Sequence, residues 1–230
     1  MQNTYKKIIT IAIPFFNEEN TIREIFAKIK NLQMPFEKEI ILVDDGSSDK
    51  SYERIKNAKG AVILRHKVNM GKGAAVKTAL ANSKGDIFIV QDADLELNPD
   101  DILKVIKPIA DGKADVVYGS RNVDGRNVEH SLIFYWGGKL VTEAANLLYG
   151  TNLTDEACGY KAFRTSVLKS IRIKENRFEW EPEVTAKISR KGIKIKEVPV
   201  SYNPRTKKQG KKLGWKDGIK ALWALIRYRF

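Results

Sequence analysis

Short apolar runs that stop at polar turn residues alternate with segments of helical periodicity through the first half of the chain. Ile8–Ile13 is β-rich and meets Pro14. Thr21–Lys30 then sets Ile22, Ile25, Phe26 and Ile29 on one helical face. A second strand, Glu39–Val43, stops at Asp44-Asp45-Gly46-Ser47-Ser48-Asp49, which mixes turn residues with helix N-caps. The same reading gives a helix over Ser51–Ala58, a strand over Ala61–Leu64 and a helix over Gly71–Ser83. A strand over Asp86–Gln91 follows, then a helix capped by Asn98 with Pro99 at its first position, then a strand over Asp115–Gly119. Continuous apolar strands separated by helices predict an α/β fold, a largely parallel sheet with helices on both faces. Ligands of such sheets sit outside the carboxyl ends of the strands. Pro14–Glu18, Asp44–Asp49, Asp92–Glu96 and Gly119–Arg121 lie at those ends, so four segments are expected to border one crevice.

The second half is less regular. Gly119–His130 reads as a mobile polar loop, Ser131–Tyr149 as a helix and Thr154–Tyr160 as an acidic turn. Lys161–Ser170 reads as a strand and short helix, Glu181–Lys191 as a helix, Ile193–Tyr202 as a strand, and Trp215–Phe230 as a last helix. Without an internal repeat or low-complexity linker, residues 1–230 are expected to form one domain, with two halves over 1–120 and 121–230. A hydrophobic fraction of 43% with 30% charged residues excludes a disordered or fibrous chain. No apolar run approaches the roughly 20 residues of a membrane span, and the first strand does not read as a secretory leader. The single cysteine, Cys158, excludes an intramolecular disulfide and fits a cytoplasmic setting.

Charge is unevenly placed. The chain carries 41 Lys and Arg against 28 Asp and Glu, a net charge of +13. Ser201–Phe230 holds Arg205, Lys207, Lys208, Lys211, Lys212, Lys216, Lys220, Arg227 and Arg229 against Asp217 alone. Such a tail implies an anionic partner or a solvated basic face. Asp86–Asp101, by contrast, has acids and no base, and a bound cation is the simplest reason. If the chain stays extended after its strand, Asp92, Asp94 and Glu96 face one side and converge on Mg²⁺ or Mn²⁺. Asp45 suits a nucleoside or a cap. Asn69-Met70-Gly71-Lys72-Gly73 offers backbone N–H groups to phosphate, without Walker A spacing. Arg121 suits a pyrophosphate or a surface ion pair. Asp155 and Glu156 are candidate bases for an acceptor. His66 and His130 lack ligand-spaced partners and read as structural and loop residues.

Taken in order, Ile13–Asn20, Val43–Asp49, Asn69–Gly73 and Gln91–Glu96 resemble family 2 glycosyltransferases. Asp155–Arg164 and Tyr202–Lys212 are similar to the branch that acts on dolichyl and other polyprenyl phosphates. This resemblance implies a GT-A fold and inverting, metal-dependent sugar transfer from a GDP- or UDP-linked donor to a polyprenyl phosphate. It implies a nucleotide pocket of Pro14, Phe16, Glu18, Val43, Asp45, Lys72 and Asp92, with Phe16 standing where tyrosine is common. It implies a metal set of Asp92, Asp94 and Glu96, with Asp94, Asp155 and Arg121 catalytic. Arg121, Lys139, Arg205, Lys211 and Lys212 are the implied phosphate and acceptor contacts.

Two acceptors follow from chemistry. A phosphate monoester is already anionic and needs positioning, whereas a saccharide hydroxyl needs Asp155 or Glu156 as base. The basic tail favours the phosphate. Trp215, Ile219, Leu222, Ile226 and Phe230 share a helical face flanked by Lys216, Lys220, Arg227 and Arg229. That stripe suits either an anionic membrane surface or packing on the core, and the first gives a peripheral enzyme at the inner face of the membrane. A nucleotidyltransferase would carry a Gly-rich basic loop after its first strand, where this chain has Phe15–Glu19. An RNA binder would interleave aromatics with its basic strand residues, so nucleic acid is not expected as a partner.

Overall fold

The computed structural model describes residues 7–123, 132–205 and 214–230, with the backbone alone at 132–134. Seven strands form one sheet: β1 (Ile8–Phe15), β2 (Glu37–Asp44), β3 (Val62–Arg65), β4 (Ile87–Val90), β5 (Val116–Ser120), β6 (Lys161–Arg164) and β7 (Ile195–Pro199), in the order β3-β2-β1-β4-β6-β5-β7. All neighbours are parallel except that β6 runs antiparallel between β4 and β5. The strand order reverses at β1, which pairs β2 on one side and β4 on the other. A crevice opens at such a reversal, outside the carboxyl ends of the strands.

Alternation along β1 divides the core. Ile9, Ile11 and Ile13 pack with α1 (Ile22–Asn31) and α4 (Ile102–Ala110) on one face. Ala12 packs on the other with α3 (Lys72–Asn82), α6 (Thr165–Lys169) and α7 (Trp180–Arg190). Each isoleucine is fully buried, which stabilises the fold by about 1.5–3 kcal/mol per side chain. The short α2 (Ser51–Ile55) follows β2. α5 (Leu132–Tyr149) and α8 (Trp215–Arg227) pack on each other, and α8 also meets α7 through Ala224 and Tyr228.

Several boundaries differ from the sequence reading. β1 continues through Pro14 to Phe15, because β4 pairs β1 only as far as Ala12 and leaves no partner there for an N–H that proline lacks. The Asn98 helix begins as a 3₁₀ turn over Pro99–Asp101, with Asn98 Oδ1 accepting from Asp100 N. The last strand is confined to Ile195–Pro199. Most of the 119–130 loop lies outside the described residues.

A buried chain of charges runs beneath the carboxyl edge. Lys161, fully buried on β6, lies 3.7 Å from Glu181 Oε2 and 4.0 Å from Glu156 Oε1. Its Nζ donates to the backbone oxygens of Glu156 and Cys158 and sits over the Tyr118 ring. Thr185 Oγ1 donates to Glu156 Oε1 and exchanges a hydrogen bond with Tyr118 OH. Burial pushes the Glu156 carboxyl up to about 7; Lys161 opposes the shift and Glu181 adds to it.

Two predictions follow. A carboxyl whose folded pKa exceeds its unfolded value imposes no penalty at low pH and its full penalty above the folded pKa. The stability of Glu156→Gln relative to wild type therefore rises by on the order of 2 kcal/mol between pH 5 and pH 8, read by urea unfolding. The Cys158 thiol is fully buried and pushed up to about 12 by that burial. It stays unreactive toward a maleimide at pH 8 in the native protein and reacts in urea.

Candidate active site

The ends of β1 and β2 are knitted together by a residue in the left-handed region. Asn17, at φ 51°, accepts from Ser48 N at 2.9 Å through its side chain and donates its backbone N–H to Ser47 Oγ. That fixes Glu18 at the rim, where its N–H donates to Ser51 Oγ and its carboxylate accepts from Thr21 Oγ1. Gly46, at φ 74°, passes so close to Val68 that a Cβ would lie 2.5 Å from its carbonyl carbon.

Asp45 faces the next turn. Its carboxylate accepts from Met70 N at 2.9 Å, Gly71 N at 2.7 Å and Asn69 Nδ2 at 2.8 Å, and His66 Nδ1 lies 2.7 Å away. Those contacts occupy a carboxylate's lone pairs. Asp45 thus anchors the 69–71 turn. The glycines of that turn also permit close packing. A Cβ on Gly71, at φ 104°, would collide with Asn176 O, and one on Gly73 would lie 2.7 Å from Glu175 O. Val43 is fully buried in the core with Ala75 and Val76. Pro14 is likewise buried within β1, while Phe16 is half-buried at its end.

After β4 the chain turns, with Leu95 at φ 64°, so the extended geometry expected for Asp92, Asp94 and Glu96 is not formed. Lys72, at the start of α3, holds Asp92 Oδ1 at 2.6 Å and Glu181 Oε1 at 2.9 Å. Burial works against the Lys72 charge, but Asp92 and Glu181 outweigh it and keep the amine protonated above the ordinary lysine range. Glu96 accepts from Tyr202 OH at 3.1 Å and Arg205 N at 2.8 Å. Asp94 accepts from Glu96 N through Oδ1. Burial, then the charges of Asp92 and Glu96, push the Asp94 carboxyl up to about 7.

Arg205 reaches across these acids. Its Nε donates to Asp94 O and its Nη2 to Glu18 Oε2, each at 2.8 Å. Arg121, at the end of β5, lies with its guanidinium 4.8 Å over the Tyr202 ring. It grips Asp155 in a fork, Nε to Oδ2 and Nη2 to Oδ1, each at 2.7 Å, and its backbone N–H adds a third bond. Burial opposes the Arg121 charge, and Asp155 more than restores it. Asp155 is 2% exposed and Glu156 1%, so neither presents an open carboxylate as a base.

The structure therefore brings Glu18, Asp92, Asp94, Glu96, Lys72, Arg205, Tyr202, Arg121 and Asp155 into one connected site. Lys139 stands apart, exposed on α5 with its ammonium over the Trp136 ring. Lys211 and Lys212 lie outside the described residues. The sequence reading gave Glu181 and Lys161 no role of their own, because their charged partners come from other elements of the fold. Glu181-Pro182 at a helix start was the one visible hint.

Among the described residues no group of three or more His, Cys, Asp or Glu side chains stands ready to hold a metal ion. Asp92 is committed to Lys72, and Glu96 to Tyr202 and Arg205. Asp94 remains a hard oxygen donor whose charge its neighbours resist. It fits an ion that takes the rest of its ligands from phosphate oxygens and water, as Mg²⁺ does.

A family model described as glycosyl transferase family 2 matches residues 10–172, from β1 through α6. A dolichol-phosphate mannosyltransferase of Pyrococcus furiosus is 29% identical over 90% of this chain, which spans 59% of that protein. A UDP-N-acetylglucosamine–dolichyl-phosphate N-acetylglucosaminyltransferase of Methanococcus voltae is 32% identical over 84% of this chain and 85% of its own length. Glucosyl-3-phosphoglycerate synthase of Mycobacterium tuberculosis, crystallised with Mn²⁺, UDP-glucose and phosphoglyceric acid, superposes with a TM-score of 0.74 at 21% identity, over 97% of this chain and 80% of that one. The sheet and its reversal at β1 are those of a GT-A fold, and this chain belongs to glycosyltransferase family 2.

Proposed function

We propose that the protein transfers a sugar from a nucleotide-sugar donor to a polyprenyl or dolichyl phosphate, with inversion at the sugar C1. The observation that carries this reading is the state of the acceptor turn. Both oxygens of Asp155 are held by Arg121, and Glu156 is sealed beneath it. A saccharide hydroxyl would need a base at this place. A phosphate monoester, with its second pKa near 6, arrives already ionised. It requires a cation and correct orientation, and Arg121, braced by Asp155, supplies both. The lipid phosphates named for the two archaeal relatives support the same acceptor class.

In this mechanism residues 1–120 chiefly hold the donor and 121–230 the acceptor, while Glu181 and Arg205 reach back into the donor half. Glu18 and Phe16 border the nucleoside. Lys72 holds Asp92 in place through its pair with Glu181. Arg205 passes from Glu18 and the Asp94 backbone to the donor diphosphate. The acceptor phosphate oxygen attacks C1 from the face opposite the nucleotide. The bond from C1 to the β-phosphate oxygen breaks, and its electron pair stays on the departing nucleoside diphosphate. Asp94 would hold a divalent ion, Mg²⁺ or Mn²⁺, whose charge stabilises that diphosphate. No proton is removed from the acceptor in this sequence. We place the reaction at the cytoplasmic face of a membrane, with the protein peripheral, because the acceptor is anchored by its tail. No helix among the described residues is long and apolar enough to cross a bilayer.

Transfer of labelled sugar to a short-chain prenyl phosphate tests the proposal, using UDP- and GDP-sugars with Mn²⁺ or with EDTA. Label is expected in the lipid extract only with the metal, and no transfer from any donor overturns the reading. Asp94→Ala loses at least about a hundredfold in kcat yet unfolds at or above the wild-type temperature, since a mutually repelling carboxylate is removed. Asp155→Asn loosens Arg121 and raises the acceptor KM by roughly tenfold. The kcat–pH profile of that variant keeps its acid limb; loss of the limb would make Asp155 the base and the acceptor a hydroxyl.

A further inference from the structure

Arg121 is held by more than Asp155. On β7, Glu197 lies half-buried beside the turn that carries Asp155. Its Oε1 accepts from Asp155 N at 3.0 Å, and its Oε2 accepts from Thr154 N at 2.7 Å and Thr154 Oγ1 at 2.9 Å. Burial pushes this carboxyl above the ordinary glutamate range, and the charge of Asp155 adds to the shift against the three hydrogen bonds. A second acid beside Asp155 is a costly way to satisfy two backbone N–H groups, which bridging water also satisfies. What it gives the turn is a single register. With both oxygens engaged, neither Thr154 nor Asp155 shifts without losing a charge-assisted bond.

The carboxylate also sets the direction of a hydrogen-bond chain. Thr154 Oγ1 has one hydrogen and donates it to Glu197. Its contact with Ser120 Oγ, at 2.6 Å, therefore runs the other way, with Ser120 donating. The lone pairs of Ser120 Oγ then accept from Asn122 N at 3.0 Å and Val123 N at 3.2 Å, the backbone groups that follow Arg121. Asn122 Nδ2 closes the arrangement on Thr154 O at 3.0 Å. One carboxylate thus governs Arg121 from both flanks, through Asp155 at its side chain and through Thr154 and Ser120 at its backbone. Tyr202, further along the same segment as Glu197, lies under the guanidinium face. Nε and Nη2 are spent on Asp155, so the Nη1 edge is the one presented to a ligand.

We infer that Glu197 is a positioning residue, whose carboxylate fixes Arg121 in the orientation that offers Nη1 to the acceptor phosphate. The identity of that ligand rests on the acceptor class proposed above, but the placement of Arg121 is measured without it. Glutamine does not replace the carboxylate. Its amide has one acceptor oxygen in place of two. An Nε2–H facing Thr154 Oγ1 also reverses the chain, so that Ser120 loses a lone pair needed by Asn122 N or Val123 N.

The test combines arginine Nε–H NMR with steady-state kinetics on the full chain. In the wild type the Arg121 Nε–H, assigned by its loss in Arg121→Lys, is expected to exchange slowly with water. Glu197→Ala should speed that exchange at least about tenfold, and Glu197→Gln by an intermediate factor. With a short-chain prenyl phosphate and a nucleotide-sugar donor, Glu197→Ala should raise the acceptor KM roughly tenfold and leave the donor KM within about twofold. Combined with Asp155→Asn, it should raise the acceptor KM by less than the product of the two single effects, because both act on Arg121. Where Glu197→Ala melts below the assay temperature, Glu197→Gln, which keeps the side-chain shape, carries the same readouts. Unchanged Arg121 exchange in these variants overturns the inference. So does a donor KM that rises with the acceptor KM, which would make Glu197 a general prop of the fold. Arg121 exchange that depends on Glu197, without transfer to the lipid phosphate, would defeat the proposed acceptor and leave the placement of Arg121 standing. Transfer whose acceptor KM Glu197→Ala leaves untouched would defeat this inference alone.

Discussion

Like charges crowded at one sheet edge, and the cations that hold them there, govern the organisation of this protein. Glu18, Asp92, Asp94 and Glu96 come from the ends of β1 and β4, where strand order reverses and the crevice must open. Their repulsion is met by Lys72 from the start of α3 and by Arg205 from beyond β7. Each cation has a second acidic contact, so neither is loose: Lys72 is held by Glu181 and Arg205 by the Glu96 carboxylate through its backbone. At this edge, burial and then the charges of Asp92 and Glu96 push the Asp94 carboxyl up to about 7, against the opposing charge of Arg205. The edge is balanced except at one oxygen donor, where a divalent ion arriving with a diphosphate would complete it.

The Asp155–Glu156 turn obeys the same electrostatics with a different outcome. Asp155 and Arg121 neutralise each other in a fork, and the next acid, Glu156, is withdrawn beneath the sheet edge with Lys161 and Thr185. A turn that reads as two free acids in sequence becomes an oriented guanidinium and a buried structural carboxyl. Lys161 and Glu181 join this turn to Lys72, so a continuous line of charge runs under both halves of the crevice. Such pairs contribute little net stability beside apolar packing, but breaking one leaves an uncompensated buried charge. Their value here is placement.

Much of this was legible in the residues because it depends on period and punctuation. The Ile22, Ile25, Phe26 and Ile29 face of α1, the apolar runs of β1, β2 and β4, and the polar residues that end them are local signals. The antiparallel β6 was not legible, since Lys161–Arg164 is too short to declare its direction. The spacing of Asp92, Asp94 and Glu96 misled, because the positive φ of Leu95 turns the chain where an extended run was assumed. Asp45 and the 69–73 glycines carry a contact that sequence does not reveal: Asp45 accepts from Gly71 N, and Gly71 packs tightly on Asn176. The pairings of Glu181 with Lys72 and of Tyr202 with Glu96 were not legible, because these partners lie far apart along the chain.

The most direct test of this electrostatic account is calorimetric titration of the wild-type protein with UDP and GDP, in Mn²⁺ and in EDTA. The account predicts that one diphosphate binds at least about tenfold more tightly with Mn²⁺, a difference of about 1.4 kcal/mol, and that Asp94→Asn removes that difference. Equal affinity with and without the ion in the wild type would contradict it.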